Sequence, residues 1–210
     1  MHAITCRLLV ILTILLAGSA QALPKAPEPH HADYHGGLVS PPMPKPEFTL
    51  TDTTGAPFNF AARTQGHLTL LFFGYTYCPD LCPLEMFTIS QALKKLPASV
   101  ADEIKVVFVT TDPGRDTPQV LRTWLDNFSK HFIGLTGSDA AIRAAQIAAN
   151  IPPATKSAVR PDGSYDVGHA AFVLAYTKDN KAHVIYPVGV TADDLAADLP
   201  LLAQETWSSH

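Results

Sequence analysis

Leu68-Thr69-Leu70-Leu71-Phe72-Phe73-Gly74-Tyr75-Thr76-Tyr77-Cys78-Pro79-Asp80-Leu81-Cys82 decides how this chain is organised. Its first half is continuously apolar, the pattern of a central strand buried on both faces. Its second half carries two cysteines four residues apart. It runs into Leu84 to Leu96, where apolar residues recur at helical spacing until Pro97 stops them. The cysteines therefore fall at a strand-to-helix turn. A thiolate there meets the unsatisfied amides of a helix N-terminus, which lower its pKa. Cys82, four residues after Cys78, projects from the same face. Such a pair can hold a soft metal ion, exchange with a disulfide, or do both.

Outward from this unit, strands and helices alternate. Upstream, Phe48 to Asp52, the turn Thr53-Thr54-Gly55-Ala56 and Pro57 to Phe60 form a short hairpin. Downstream, Ile104 to Thr111 is a second buried strand, ending in Asp112-Pro113. Thr117-Pro118 starts a helix to about Phe128, with the hydroxyl as cap and the proline in the first turn. His131 to Thr136 is a third strand. Ser138-Asp139 caps an alanine-rich helix to about Ala149, which Pro152-Pro153 ends. After a turn at Pro161-Asp162-Gly163, Ala170 to Thr177 and His183 to Val188 pair as a hairpin through Lys178-Asp179-Asn180-Lys181. Thr191 caps a last helix, Asp193 to about Trp207, with acids in its first turn. This order predicts an α/β fold: a mixed central sheet flanked by helices, with an N-terminal β-hairpin, thioredoxin-like in arrangement. The thiols fall at the carboxyl end of the first central strand, where such sheets bind ligands.

The N-terminus reads as a signal peptide over residues 1–22. Arg7 is its basic residue, Leu8 to Ala17 its apolar core, and Ser19-Ala20-Gln21-Ala22 favours cleavage after Ala22. That core is well short of the roughly 20 residues needed to span a bilayer, so membrane association is expected only if the segment is not cleaved. Export predicts an oxidising, periplasmic setting. Of the three cysteines, Cys6 leaves with the signal, so Cys78 and Cys82 stand for one disulfide or one site. Residues 23–46, rich in Pro and His, are expected to form a flexible tail, and the domain to occupy 47–207. The net charge of −4 gives no reason to expect nucleic acid as a partner.

Phe73-Gly74-Tyr75-Thr76-Tyr77-Cys78-Pro79-Asp80-Leu81-Cys82-Pro83 resembles the core motif of the Sco/SenC family, copper proteins of cytochrome c oxidase assembly. Val107-Phe108-Val109-Thr110-Thr111-Asp112-Pro113-Gly114-Arg115-Asp116-Thr117-Pro118 is similar to that family's strand-loop-helix signature. The resemblance covers Phe48 to about Leu202. It implies a third metal ligand, His169, in Tyr165-Asp166-Val167-Gly168-His169-Ala170-Ala171-Phe172. It also implies that Cys78, Cys82 and His169 bind copper as Cu(I) and Cu(II). The implied recipient is the CuA centre of cytochrome c oxidase subunit II, with a periplasmic copper donor protein upstream. A chain leaving a turn and entering a strand at this point can present an imidazole across the sheet end to the sulfurs. Many relatives have Asp-His-Ser where this chain has Gly168-His169-Ala170; Asp166 is the nearest substitute for the missing carboxylate.

The same dithiol admits other uses. A thiol-disulfide oxidoreductase that reduces the cysteines of the copper recipient is the enzymatic alternative to a carrier without turnover. Against it, the spacing is CxxxC rather than CxxC, and no proline immediately precedes Ala170. A peroxiredoxin-like peroxidase needs a different sequence before its cysteine. A purely stabilising disulfide would close too short a loop to restrict the unfolded chain much. Asp112-Pro113 is expected to shape a turn, and Arg115 and Asp116 to pair or cap the next helix, with partner docking as the alternative. His30, His31, His35 and Met43 of the tail either capture copper or space the domain from its leader. His67, His131 and His183 read as structural. Phe72, Phe73, Tyr75 and Tyr77 read as packing around the site.

Overall fold

The computed structural model describes residues 34–204 and 207. The leader expected over 1–22 and the first part of the tail, with His30 and His31, lie outside the described residues. Along the chain come strands β1 (Gly37–Pro44), β2 (Thr49–Asp52) and β3 (Pro57–Asn59), helix α1 (Phe60–Thr64), strand β4 (Leu68–Gly74), and helices α2 (Leu81–Lys95) and α3 (Ala98–Ala101). Strand β5 (Ile104–Thr110), helix α4 (Pro118–Leu125), strand β6 (Ile133–Thr136) and helix α5 (Asp139–Ala148) follow. The chain then forms β7 (Thr155–Lys156), β8 (Val167–Gly168), β9 (Phe172–Tyr176), β10 (Lys181–Pro187) and α6 (Ala192–Gln204).

Eight strands join one mixed sheet in the order β1-β10-β9-β4-β5-β6-β2-β3, and β7 pairs with β8 separately. β4, β5 and β6 are parallel because the crossovers through α2 and α4 return the chain to the starting end. The hairpins β2–β3 and β9–β10 are antiparallel and extend the sheet on either side. β4 runs fully buried from Leu68 to Gly74, and its alternate residues serve two cores. Leu68, Leu70 and Phe72 pack with Cys82, Met86 and Ile89 of α2, Leu121 and Leu125 of α4, and Leu195 and Leu199 of α6. Leu71 and Phe73 pack on the other face with Ile142 and Ala145 of α5 and with Leu50, Phe58 and Phe60. The helices α4, α5 and α6 start where the sequence predicts: the hydroxyls of Thr117 and Ser138 accept the amides of Val120 and Ala141. Thr191 does the same for Asp194, whose carboxylate accepts the Thr191 amide in return.

The tail is the correction. The sequence predicts flexible chain over 23–46, yet Gly37–Pro44 is a strand, paired antiparallel with β10 at the sheet edge. Its prolines are tolerated because an edge strand needs amides on one side only, and the register breaks between Leu38 and Met43, over the proline pair. His35 fastens its entrance: the backbone N–H and the ring both bond to the carboxylate of Asp198 on α6, at 2.8 and 2.7 Å. Asp198 is buried and also accepts the Tyr186 hydroxyl. No helix among the described residues is long and apolar enough to cross a membrane.

The topology decides where chemistry can happen. β4 and β5 are in register to their last residues, Gly74 and Thr110, so the loops that follow both emerge at one end of the sheet. β9 runs antiparallel to β4, with Leu71 opposite Leu174, so the residues that precede β9 arrive at that same end.

Candidate metal centre

The cysteine loop is built by β4 and α2. The chain turns through a bond from the Cys78 amide to the Tyr75 carbonyl and enters α2 at Leu81, three residues earlier than the apolar spacing predicts. Cys82 therefore lies in the first helical turn and donates its amide to Cys78 Sγ at 3.5 Å. Cys78 is partly exposed, Cys82 is fully buried, and both thiols are free. Gly74 makes room for the buried sulfur, since a Cβ there would stand 2.7 Å from Cys82 Sγ. A helix N-terminus predicts a lowered thiol pKa, but at Cys82 burial wins and pushes the thiol well up, against the lowering effect of the Tyr75 backbone amide. Its proton is therefore held until something displaces it, as a metal ion does when it binds a thiol.

His169 follows β8 directly and stands beside the thiols. Its Nε2 lies 3.4 Å from Cys82 Sγ, and its Nδ1 lies 3.0 Å from the Ala170 carbonyl oxygen. A carbonyl only accepts, so Nδ1 carries the proton and Nε2 turns its lone pair to the sulfurs. Phe72 and Tyr75 meet the imidazole edge to face, at 6.0 and 5.6 Å between ring centres. Burial in this apolar setting lowers the imidazole pKa, which favours the neutral, ligating form. Donor atoms of Cys78, Cys82 and His169 all lie within 4.8 Å of one another. The three ligands expected from the sequence are thus brought together. Two sulfurs and a neutral imidazole suit a soft ion such as Cu(I), and imidazole extends the set to Cu(II).

Phe72 and Phe73 are core residues, as expected, whereas Tyr77 is exposed. Arg115 forms its ion pair with Asp112 rather than Asp116, and Asp116 does not cap α4; Thr117 does. Asp116 instead accepts the amide of Thr76 at 2.9 Å together with the Thr76 and Thr110 hydroxyls. Asp112 accepts the Tyr165 hydroxyl at 2.8 Å and pairs with Lys156 at 3.3 Å. Thr76, Lys156 and Tyr165 went unremarked in the sequence because nothing there shows which loops meet. Asp166 does not replace the missing carboxylate beside His169, since it is exposed and paired with Arg160. His183 stacks on Trp207 and bonds to Asp179, a structural role as expected. His67 bonds the Glu103 carbonyl.

Comparison with known proteins places the chain among relatives of this architecture. The profile described as SCO1/SenC matches residues 40–204. A SCO2-like protein of Rickettsia prowazekii is 32% identical over 148 residues, 70% of this chain and 71% of the relative. Among solved structures, apo Sco1 of Thermus thermophilus superposes with a TM-score of 0.72 at 33% identity, covering 80% of this chain and 96% of that one. ScoI of Bradyrhizobium japonicum, solved with copper bound, gives a TM-score of 0.68 at 33% identity over 76% of this chain and 99% of the other. The fold is thioredoxin-like, as the order of elements predicts.

Proposed function

The chain belongs to the SCO1/SenC family, and from that premise we propose that it binds copper through Cys78, Cys82 and His169 and delivers it to the CuA centre of cytochrome c oxidase subunit II. The observation that carries this reading is the convergence of two sulfurs and one imidazole, donor atoms within 4.8 Å, from segments 87 positions apart. Solved relatives with copper bound support the choice of metal. In the cell the protein is exported to the periplasm and works there, receiving copper from a periplasmic donor protein.

Each residue has a task. Cys78, the more open of the two described thiols, is where an incoming sulfur first reaches the ion. Cys82 holds from inside the core, and His169 supplies a neutral nitrogen whose tautomer is set by Ala170. Handover is ligand exchange, with thiolates of the recipient replacing Cys78 and then Cys82. The protein itself is a carrier, not an enzyme. The deciding experiment is an anaerobic titration of the reduced protein with copper, read by X-ray absorption. One equivalent bound with two sulfurs and one nitrogen is expected; a shell without sulfur overturns the proposal.

One observation favours a second use of the same thiols. A partly exposed sulfur beside a buried one, both free, is the arrangement of an attacking and a resolving thiol in disulfide exchange. Reduction of the recipient's cysteines before metallation would employ it.

A further inference from the structure

We propose that the loop joining β5 to α4, residues 112–116, is a yoke that sets the separation of the two halves of the metal site. Asp116 is the positioning residue for the cysteine loop and Asp112 for His169. The inference rests on the copper reading above and adds the residues that decide how many ligands the ion meets.

The ligands come from two segments 87 positions apart, so their spacing depends on what ties the segments together. Two carboxylates in one short loop do this, each fully buried. Asp116 takes the amide and hydroxyl of Thr76, two residues before Cys78, and the hydroxyl of Thr110 at the end of β5. Asp112 takes the hydroxyl of Tyr165 and the ammonium of Lys156. Lys156 lies on β7 and Tyr165 just ahead of β8, so both arms of the hairpin that ends at His169 are held by one carboxylate. Arg115, between the two acids, spans the gap. It pairs with Asp112, donates to the Tyr165 carbonyl at 3.4 Å, and lies 3.9 Å from the Tyr165 ring centre and 4.9 Å from that of Tyr77, next to Cys78.

The loop is itself stiff. The amides of Arg115 and Asp116 bond back to the Asp112 carbonyl at 3.2 and 2.9 Å, and the Asp112 amide to the Thr110 hydroxyl at 3.0 Å. A turn alone does not require two buried carboxylates, each of which is costly unless fully bonded. Here their bonds run outward, one set to each half of the site. Slackening the Asp112 side frees the imidazole but leaves both sulfurs in place. Two thiolates still satisfy Cu(I), whereas Cu(II) depends on the nitrogen. Asp112 therefore tunes the preference between oxidation states without touching the ion.

The test compares Asp112→Ala, Asp112→Asn and Tyr165→Phe with wild type, and with Lys95→Ala as a surface control. Copper is supplied as the aquo Cu(II) ion and, separately, as Cu(I) buffered by a chelator. For Asp112→Ala, Cu(II) affinity falls by about tenfold or more, the nitrogen superhyperfine pattern in the electron paramagnetic resonance spectrum weakens, and Cu(I) affinity changes by less than about threefold. Tyr165→Phe, which removes one hydroxyl, gives the same pattern at about fivefold. Asp112→Asn, which still accepts from Tyr165, falls between wild type and alanine. In the metal-free protein, hydrogen exchange over 155–168 speeds up in the Asp112 and Tyr165 variants and not in the control. Folded variants with wild-type nitrogen coupling, Cu(II) affinity and exchange overturn the yoke. Should Asp112→Ala not fold, Tyr165→Phe decides. A wild-type protein that binds copper without sulfur ligands defeats the copper reading instead, and exchange in the metal-free protein still judges the yoke.

Discussion

Gly74 and Cys82 stand so close that a single methyl group between them is excluded: a Cβ on Gly74 would lie 2.7 Å from Cys82 Sγ and 2.6 Å from a Phe72 ring carbon. The glycine ends β4, and its carbonyl also receives the Thr111 amide at 2.6 Å, so the backbone there has no freedom to retreat. Gly74→Ala must push the sulfur or the ring aside. A loss of about 1–3 kcal/mol in unfolding free energy is expected from overpacking, with weaker copper binding at the displaced thiol. Urea melts and a copper titration on the same sample measure both; unchanged copper affinity would show that the sulfur does not ligate from where it sits.

His169→Ala separates carrier from reductase. The variant is expected to lose Cu(II) binding by about 10-fold to 100-fold while its thiols exchange with a small aromatic disulfide at close to the wild-type rate. Parallel copper and disulfide-exchange assays give the answer. Copper retention at full affinity would remove the imidazole from the ligand set.

Glu85 gives a pH signature. It is buried on α2, and burial raises its carboxyl pKa from 4.5 to about 7. Between those values the folded protein keeps a proton that the unfolded chain has released, so stability contributed by the neutral acid is complete below pH 4.5 and lost as pH rises through 7. The loss is on the order of 3 kcal/mol. Glu85→Gln should flatten this descent, leaving the variant level with wild type at pH 4.5 and more stable at pH 8. Paired denaturant melts across that range test it, and parallel profiles would refute it.

His35 works with the opposite chemistry and the same sign. Its bond to Asp198 raises the imidazole pKa, so the contact is fully present below the ordinary value of 6.5 and fades as pH climbs through the raised one. In His35→Gln the wild-type fall in melting temperature above neutrality should be smaller.

A chain begun at residue 47, where the sequence alone places the domain boundary, lacks β1. It exposes the edge of β10 and unlatches Asp198. Melting some 5–10 °C lower and self-association through the open edge are expected, checked by calorimetry and light scattering. An unaltered monomer would mean that β1 is dispensable.

How much of this was legible beforehand depended on locality. The β4–α2 unit shows in the sequence because burial on both faces and helical spacing are local patterns, and the caps at Thr117, Ser138 and Thr191 are local too. β1 does not show, because Pro41, Pro42 and Pro44 argue against a strand unless the chain is known to lie at an edge. His169 became a candidate through family resemblance; no pattern in its own neighbourhood pairs it with Cys82. Arg115 was expected to pair or cap alongside Asp116 and instead pairs with Asp112 within the same short loop, whereas Asp116 with Thr76 and Asp112 with Tyr165 join positions 40 and 53 apart. Side-chain bonds across such distances follow from the sheet order, which a single sequence leaves open.

Cys82 belongs to the same packed cluster as Met86, Leu121 and Leu199, so whatever it grips is fastened to the interior rather than to a surface loop. A guest atom there adds its free energy of attachment to the cohesion of the whole body. A metal-loaded molecule should consequently be harder to melt than the metal-free one, and release of the ion should leave a measurably softer body.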